Sequence, residues 1–250
     1  MSKDWTKIRA KVKDFIESEI YPKETELAKG TPEAREMLGS LMQLAKDEKI
    51  WALGHPEDIG GGGMPFMEYV YVNEVIGRSS FAMVALGTHS LQDSIMLREF
   101  ASPHWRDQYL EPLVQGEIFP SFGMTEPDVA SSDPTQLQTT AILDNGTWKI
   151  NGTKWFTTGA ARAAYTTVMC RTELDAPSHG AFSMIIVPTD NPGYKIVRET
   201  PVLGINGGHY EVKYDNVEVP EENLLGPRGQ GFIIAQKRLG PGRIFHCMRW

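Results

Sequence analysis

The sequence predicts an α+β fold, in which an N-terminal all-α helical domain is followed by a β-sandwich or barrel domain and then by the start of a C-terminal helix. Apolar residues first recur at helical spacing, short β-branched and aromatic segments follow, and helical spacing returns near residue 231. We therefore place the helical domain at residues 1–116, the β-domain at 117–228 and the start of the last helical domain at 229–250.

The helical domain begins with one amphipathic stripe and a clear second start signal. Thr31, Pro32 and Glu33 combine a hydroxyl cap, a first-turn proline and an acid near the positive helix end. Four consecutive glycines at 60–63 cannot lie inside a helix. Helical patterns resume at 66–77, at 81–100 and in a short segment that starts at Pro103. The first stripe consists of Trp5, Ile8, Val12, Phe15, Ile16 and Ile20.

The β-domain is indicated by short segments separated by turn signals. Asp144-Asn145-Gly146, Asn151-Gly152 and Asn191-Pro192-Gly193 are sequences typical of turns. Strands at such regular spacing favour a sandwich or a small barrel. The predicted strands are 137–143, 148–150, 154–158, 166–171, 181–187, 194–199 and 211–214.

The final helix is predicted from Gly231 onward. Its apolar pattern reaches Trp250 without a terminal glycine or proline. An amphipathic helix that stops within its own pattern leaves an apolar face without a partner. The sequence therefore predicts a chain cut off before further helices.

Composition excludes several classes of function. The 250-residue chain carries a net charge of −7, which argues against nucleic acid as the main partner. Its two cysteines and six histidines show no metal-ligand spacing, so we expect no metal site. The longest apolar runs are far shorter than a membrane span, and the N-terminus lacks a signal-peptide pattern. We expect a cytoplasmic protein without a membrane span.

Three co-ordered segments carry a resemblance to a known family. Residues 122–133 read Phe-Gly-Met-Thr-Glu-Pro-Asp-Val-Ala-Ser-Ser-Asp, and residues 151–159 read Asn-Gly-Thr-Lys-Trp-Phe-Thr-Thr-Gly. Residues 215–226 read Asp-Asn-Val-Glu-Val-Pro-Glu-Glu-Asn-Leu-Leu-Gly. Together they resemble the acyl-CoA dehydrogenases over essentially the whole chain, especially the subgroup of family members ten and eleven.

The resemblance implies FAD-dependent α,β-dehydrogenation of fatty acyl-CoA thioesters, as in β-oxidation. A carboxylate takes the α proton, and the β hydrogen leaves as hydride to the flavin, while the protein supplies position and electrostatics. The implied partners are acyl-CoA, an electron-transfer flavoprotein and further copies of the full-length protein in a dimer or tetramer.

The resemblance also implies which residues meet cofactor and substrate. Thr125 would face the pyrimidine side of the flavin and Thr157 its N5 atom, as donors that stabilise developing negative charge. The backbone at Phe122 and Met124 would lie along the ring. The remaining implied contacts are Trp155 and Phe156 against the ring, Ser131 or Ser132 at the phosphate side, and Ser132 and Arg243 at the acyl-CoA.

Each of these residues also has a simpler reading. Thr125 and Thr157 are ordinary strand formers, and Trp155 is typical of a core. Glu126 precedes a proline, which favours a structural role at a turn. No acid occurs at 239–244, where some relatives place the catalytic base, so we nominate no catalytic residue and expect this chain alone to be inactive.

Two other functions stay open. The same fold serves acyl-CoA oxidases and related flavin monooxygenases, which reoxidise the flavin with oxygen. The absent base is also compatible with a non-catalytic fragment or with one subunit of a split protein.

Overall fold

The computed structural model describes residues 4–204 and 207–249. The chain divides into two compact units. We call them the helical unit (Met1–Ile95, Val114–Gly116 and Arg238–Trp250) and the sheet unit (Met96–Leu113 and Glu117–Lys237). The predicted α+β order of helices, sheet and final helix is confirmed. The domain boundaries at 116 and 228 stay a prediction.

The first helices begin where the sequence places caps. The Asp4 carboxylate accepts a hydrogen bond from the Lys7 amide at 3.3 Å, and the Thr31 hydroxyl accepts one from the Ala34 amide at 3.3 Å. The described helices are α1 Trp5–Phe15, α2 Glu24–Leu27, α3 Pro32–Asp47, α4 Phe66–Ile76, α5 Ala82–Ala85, α6 Leu91–Phe100, α7 Pro103–Trp105, α8 Glu111–Gln115 and α9 Gly231–Arg249.

The predicted single helix at 81–100 is wrong, because the chain breaks at Gly87. This glycine adopts a left-handed φ of 70°, and α5 and α6 lie on either side of it. A Cβ atom here would lie 2.6 Å from the Trp51 ring, so the packed indole requires a glycine. The predicted loop at 60–63 and the helix start at Gly231 are confirmed. Among the described helices, none has both the length and the hydropathy needed to cross a membrane.

Eight described strands form one connected sheet in the order β6-β7-β3-β2-β4-β5-β8, with β1 parallel to β4. Strands β2 and β4 meet at a single residue pair, Thr140 and Arg171. Both sides of this junction contribute to one hydrophobic core, which contains Trp148 and Ile150 as well as Val168 and Ile185. The strands are β1 Pro120–Gly123, β2 Thr140–Asp144, β3 Thr147–Thr158, β4 Tyr165–Arg171, β5 Phe182–Pro188, β6 Tyr194–Glu199, β7 His209–Pro220 and β8 Leu224–Leu225.

The predicted turn at Asn151-Gly152 is wrong, since β3 runs through it without a break. Gly152 has a φ of 152°, and a Cβ atom there would lie 2.4 Å from the Thr139 hydroxyl oxygen. The glycine therefore allows close approach of another chain segment rather than a change of direction. Strands β1 and β8 were absent from the sequence prediction; each is four residues or shorter.

Candidate functional site

The segment that follows β1 lies against β3 at the first two motifs. The Trp155 amide donates to the Thr125 carbonyl at 3.0 Å. In return, the Thr125 hydroxyl donates to the Trp155 carbonyl at 2.8 Å. The structure thus brings the two motifs together, although 30 residues of chain separate these partners.

A β-bulge interrupts β3 beside this contact. Lys154 pairs with Val212 and Thr157 pairs with Tyr210, so β3 advances three residues where β7 advances two. The extra residue bends the strand and shifts its inside-outside alternation by one. Phe156 sits in the bulge with a left-handed φ of 49°.

The bulge decides which side chains face outward. Before it, Trp148, Ile150 and Lys154 point inward and are fully buried. Beyond it, Thr157 is also fully buried, and its hydroxyl oxygen has no hydrogen-bond partner among the described residues. Phe156, by contrast, is 42% exposed.

The role expected of Thr157, to offer its hydroxyl to a flavin, stays a prediction. Its side chain is fully buried on the inner face, so the hydroxyl is not accessible at the surface. Thr158 is the exposed threonine, and its hydroxyl lies 2.8 Å from Nδ1 of His209. Trp155 is half-buried and tilted against Phe156, with 4.9 Å between ring centroids. The outward-facing aromatic ring and hydroxyl of this segment therefore belong to Phe156 and Thr158.

A buried ion pair underlies the same segment. Nζ of Lys154 lies 2.8 Å from Oε1 of Glu126 and donates to the Met124 carbonyl at 2.9 Å. The two Glu126 oxygens also accept the amides of Gln138 and Thr139, at 2.6 and 2.9 Å. The pair thus joins the turn after β1, strand β3 and the approach to β2.

Electrostatics keep Glu126 ionised. Burial raises the pKa of its carboxyl, but the Lys154 charge and the hydrogen bonds from Lys154, Gln138 and Thr139 hold that pKa below its usual value. Burial lowers the pKa of Lys154 against the opposing effect of Glu126. Glu126 therefore has the structural role that its place before Pro127 suggested.

The loop after Glu126 distinguishes the two candidate serines. The Ser131 hydroxyl accepts the Glu126 amide at 2.8 Å and lies 3.1 Å from the Glu126 carbonyl, so it closes the loop on itself. Ser132 is exposed. Of the two, Ser132 has the side chain that a ligand can reach.

The remaining predicted residues lie at three places. Phe122 is half-buried on β1 beside Thr167 of β4, and Met124 is half-buried with its carbonyl bound by Lys154. Arg243 is exposed on α9, within the helical unit. Its role in substrate binding stays a prediction.

The sequence analysis missed Lys154 as a site-building residue. The signal was present in the alternation of β3, because Trp148, Ile150, Gly152 and Lys154 share one face of the strand. A lysine at an inward position needs a buried counter-charge, and Glu126 of the first motif was the available acid.

The arrangement suits a planar heteroaromatic ligand. Phe156 presents an exposed flat apolar surface, Thr158 lies two residues further along β3, and the Thr125 hydroxyl binds the carbonyl of the preceding residue, Trp155. Aromatic faces bind flat rings, while fixed hydroxyls satisfy the polar ring edge. This defines a candidate site of the flavin-binding kind.

Comparison with known proteins identifies the family. A model described as "Acyl-CoA dehydrogenase, N-terminal domain" matches residues 2–117, and one described as "Acyl-CoA dehydrogenase, middle domain" matches residues 121–217. The chain belongs to the acyl-CoA dehydrogenase family. Members of this family bind FAD.

Curated relatives support the resemblance to members ten and eleven. The probable acyl-CoA dehydrogenase FadE2 of Mycobacterium tuberculosis is 41% identical over 96% of this chain and 62% of its own length. Acyl-CoA dehydrogenase family member 10 of Mus musculus is 37% identical, over 97% of this chain and 24% of its own length. Member 11 of Gallus gallus is also 37% identical, over 99% and 34%. The chain therefore spans less than two thirds of the length of these relatives.

Solved structures share the fold. A Mycobacterium abscessus protein described as an acyl-CoA dehydrogenase is 34% identical with a TM-score of 0.91, over 99% of this chain and 66% of that one. A glutaryl-CoA dehydrogenase of Mycobacterium smegmatis, solved in complex with FADH2, is 23% identical with a TM-score of 0.80, over 99% and 61%.

Proposed function

We propose that this chain forms the flavin-binding part of an enzyme that catalyses FAD-dependent α,β-dehydrogenation of fatty acyl-CoA thioesters. The observation that carries the proposal is the outward bulge with Phe156 and Thr158 beside Thr125, in a chain that two acyl-CoA dehydrogenase domain models match. The residues present fit the cofactor, because an exposed apolar ring and an exposed hydroxyl group occur two residues apart on one strand.

The roles of the residues follow from their environment. Bound FAD supplies the hydride acceptor. Phe156 would pack on the flavin ring, and Trp155 contacts Phe156 from the side. The Thr158 hydroxyl would hold the polar ring edge, and its proton is available there when Nδ1 of His209 is the donor in their 2.8 Å contact; such a donor stabilises negative charge that develops on reduction. The Thr125 hydroxyl donates its hydrogen bond to the Trp155 carbonyl, so the lone pairs of the hydroxyl oxygen are left to accept a ligand N–H.

The other predicted contacts remain part of the proposal. The backbone at Phe122 and Met124 would lie along the ring of bound FAD. Exposed Ser132 binds phosphate-side atoms of the cofactor or the acyl-CoA, and Arg243 binds the acyl-CoA.

The α proton requires a base that we do not assign within this chain. Glu126 is a poor candidate, because it is buried, paired with Lys154 and holds a lowered pKa. The segment 239–244 contains no acid. We therefore propose that the 250-residue chain binds FAD without turning over acyl-CoA.

The proposal extends to partners and place of action. An electron-transfer flavoprotein reoxidises the flavin, the full-length protein forms a dimer or tetramer, and the reaction belongs to cytoplasmic β-oxidation. The support is membership of the acyl-CoA dehydrogenase family.

A titration followed by an assay tests the proposal. FAD added to the purified chain should bind saturably, with quenching of flavin fluorescence and a resolved visible spectrum. Octanoyl-CoA or palmitoyl-CoA with an artificial electron acceptor should then give no rate above background. Absence of saturable FAD binding would contradict the cofactor assignment. Measurable turnover of acyl-CoA would contradict the predicted inactivity. Turnover with hydrogen peroxide release would identify an oxidase instead.

A further inference from the structure

The Lys154–Glu126 pair flanks the two residues that join the motifs. Lys154 directly precedes Trp155, and Glu126 directly follows Thr125. Trp155 and Thr125 exchange two hydrogen bonds, at 3.0 and 2.8 Å. The ion pair, at 2.8 Å, forms a third connection between the same two segments.

The Lys154–Glu126 ion pair lies next to the bulge, where the regular pairing of β3 with β7 is interrupted. The register between β3 and β7 shifts between Lys154 and Thr157, as it also does between Ile150 and Gly152, so regular pairing with β7 is interrupted at the bulge. Phe156 lies within this gap. Its position therefore depends on how Trp155 is held from the side of β1.

A contribution to folding stability does not by itself explain why the Lys154–Glu126 ion pair is buried here. The side chains of Lys154 and Glu126 are 0% and 5% exposed. Removing two charges from water is costly, and well-packed apolar residues of similar volume are often equally stabilising. What an ion pair adds is direction, because Lys154 must point at both Met124 and Glu126 to satisfy its ammonium.

We propose that Lys154 and Glu126 are positioning residues, which hold Thr125 and the Phe156 bulge in the geometry that binds flavin. The inference rests on the proposed function. Lys154 reaches the Met124 carbonyl and the Glu126 carboxylate, and Glu126 is fixed from its other side by the amides of Gln138 and Thr139. Two contacts thus join the turn after β1 to strand β3, and two more tie Glu126 to the approach to β2.

Two substitutions at Lys154 test the proposal. Lys154→Gln keeps a donor while removing the charge and one atom of length, and Lys154→Met removes the donor as well. We expect both variants to fold by circular dichroism and thermal melting. The dissociation constant for FAD should rise at least about tenfold in Lys154→Met and by less in Lys154→Gln. Without FAD, amide exchange in the segment 153–158 should be faster in the same order.

A matched pair of exposed residues provides the control. Lys195 and Asp215 lie 2.6 Å apart in the same unit, on β6 and β7. The double variant Lys195→Met/Asp215→Asn should leave FAD affinity and exchange at 153–158 unchanged.

Each outcome decides the question. Unchanged FAD affinity in a folded Lys154→Met variant would overturn the positioning role. Failure of both Lys154 variants to fold, while the control variant folds, would also overturn it, since the pair would then be a determinant of the fold. If the unmodified chain binds no FAD, the proposed function itself fails, whatever the exchange measurements show.

Discussion

Thr157 and Thr158 are neighbouring threonines, and one inserted residue determines which of their side chains is exposed. Both are threonines in the same motif, and sequence reasoning favoured the first. The bulge at Phe156 turns Thr157 into the interior and leaves Thr158 exposed beside His209. Accessibility to a ligand is therefore a property of strand register at this site and not of the residue type.

Valine substitutions should separate these two threonines. Thr157→Val removes a buried hydroxyl without a hydrogen-bond partner while keeping its shape. The Thr157→Val variant should keep the FAD affinity unchanged, and its free energy of unfolding should rise by about 1–3 kcal/mol. Thr158→Val should weaken FAD binding by about five- to tenfold through one lost hydrogen bond. Fluorescence titration and urea unfolding measure both effects, and a larger loss of FAD affinity in Thr157→Val would contradict the assignment.

At the scale of elements, close packing interrupts patterns that look continuous in sequence. Residues 81–100 are apolar enough for one helix. Trp51, however, occupies the space beside Gly87, and the predicted helix is divided there into α5 and α6. The Trp51 indole is itself held in place, because its Nε1 donates to the Val114 carbonyl at 2.9 Å. The break therefore depends on a residue more than thirty positions away in the chain.

Alanine at two glycines should have effects of opposite sign. Gly87→Ala places a Cβ atom against Trp51 at a left-handed φ. It should cost about 1–3 kcal/mol through the clash and about 1 kcal/mol more through the backbone. Gly39→Ala, in α3 with nothing within 4 Å of the added Cβ, should stabilise by about 0.5–1 kcal/mol. Urea unfolding followed by circular dichroism measures both, and equal midpoints would refute the argument.

At the scale of the whole molecule, the two cysteines report on different parts of the chain. Cys170 is fully buried in the core of the sheet unit, and burial raises the pKa of its thiol to about 12. Cys247 is exposed on α9. Because the thiolate is the reactive form, only Cys247 should react readily in the native protein.

Thiol labelling tests this difference. One thiol per chain should react with Ellman's reagent at pH 8, and the second should react about a hundredfold more slowly, on opening of the sheet unit. Denaturant should make both react at once, and Cys247→Ser should abolish the fast phase alone. Two fast thiols in the native protein would show that the core around Cys170 is not closed.

Several features of the chain follow from local sequence alone. Neighbours within a few residues set three of these features. They are the capped start of α3 at Thr31, the return of a helix at Gly231, and the alternation of buried and exposed residues in β3 and β7. The three motifs also sufficed to identify the family, since their order and residue types lie in the sequence itself.

Tertiary structure alone decided where the chain bends, breaks and pairs its charges. Gly87 is dictated by Trp51 from a distant segment, and Gly152 by Thr139 across the β2–β3 hairpin. The bulge that exposes Phe156 and buries Thr157 exists only in the pairing of β3 with β7, and Lys154 meets Glu126 only once β1 and β3 lie side by side. Local sequence sets periodicity and caps because these act over one or two turns of chain. Contacts between distant segments depend on packing, which no short window of residues contains.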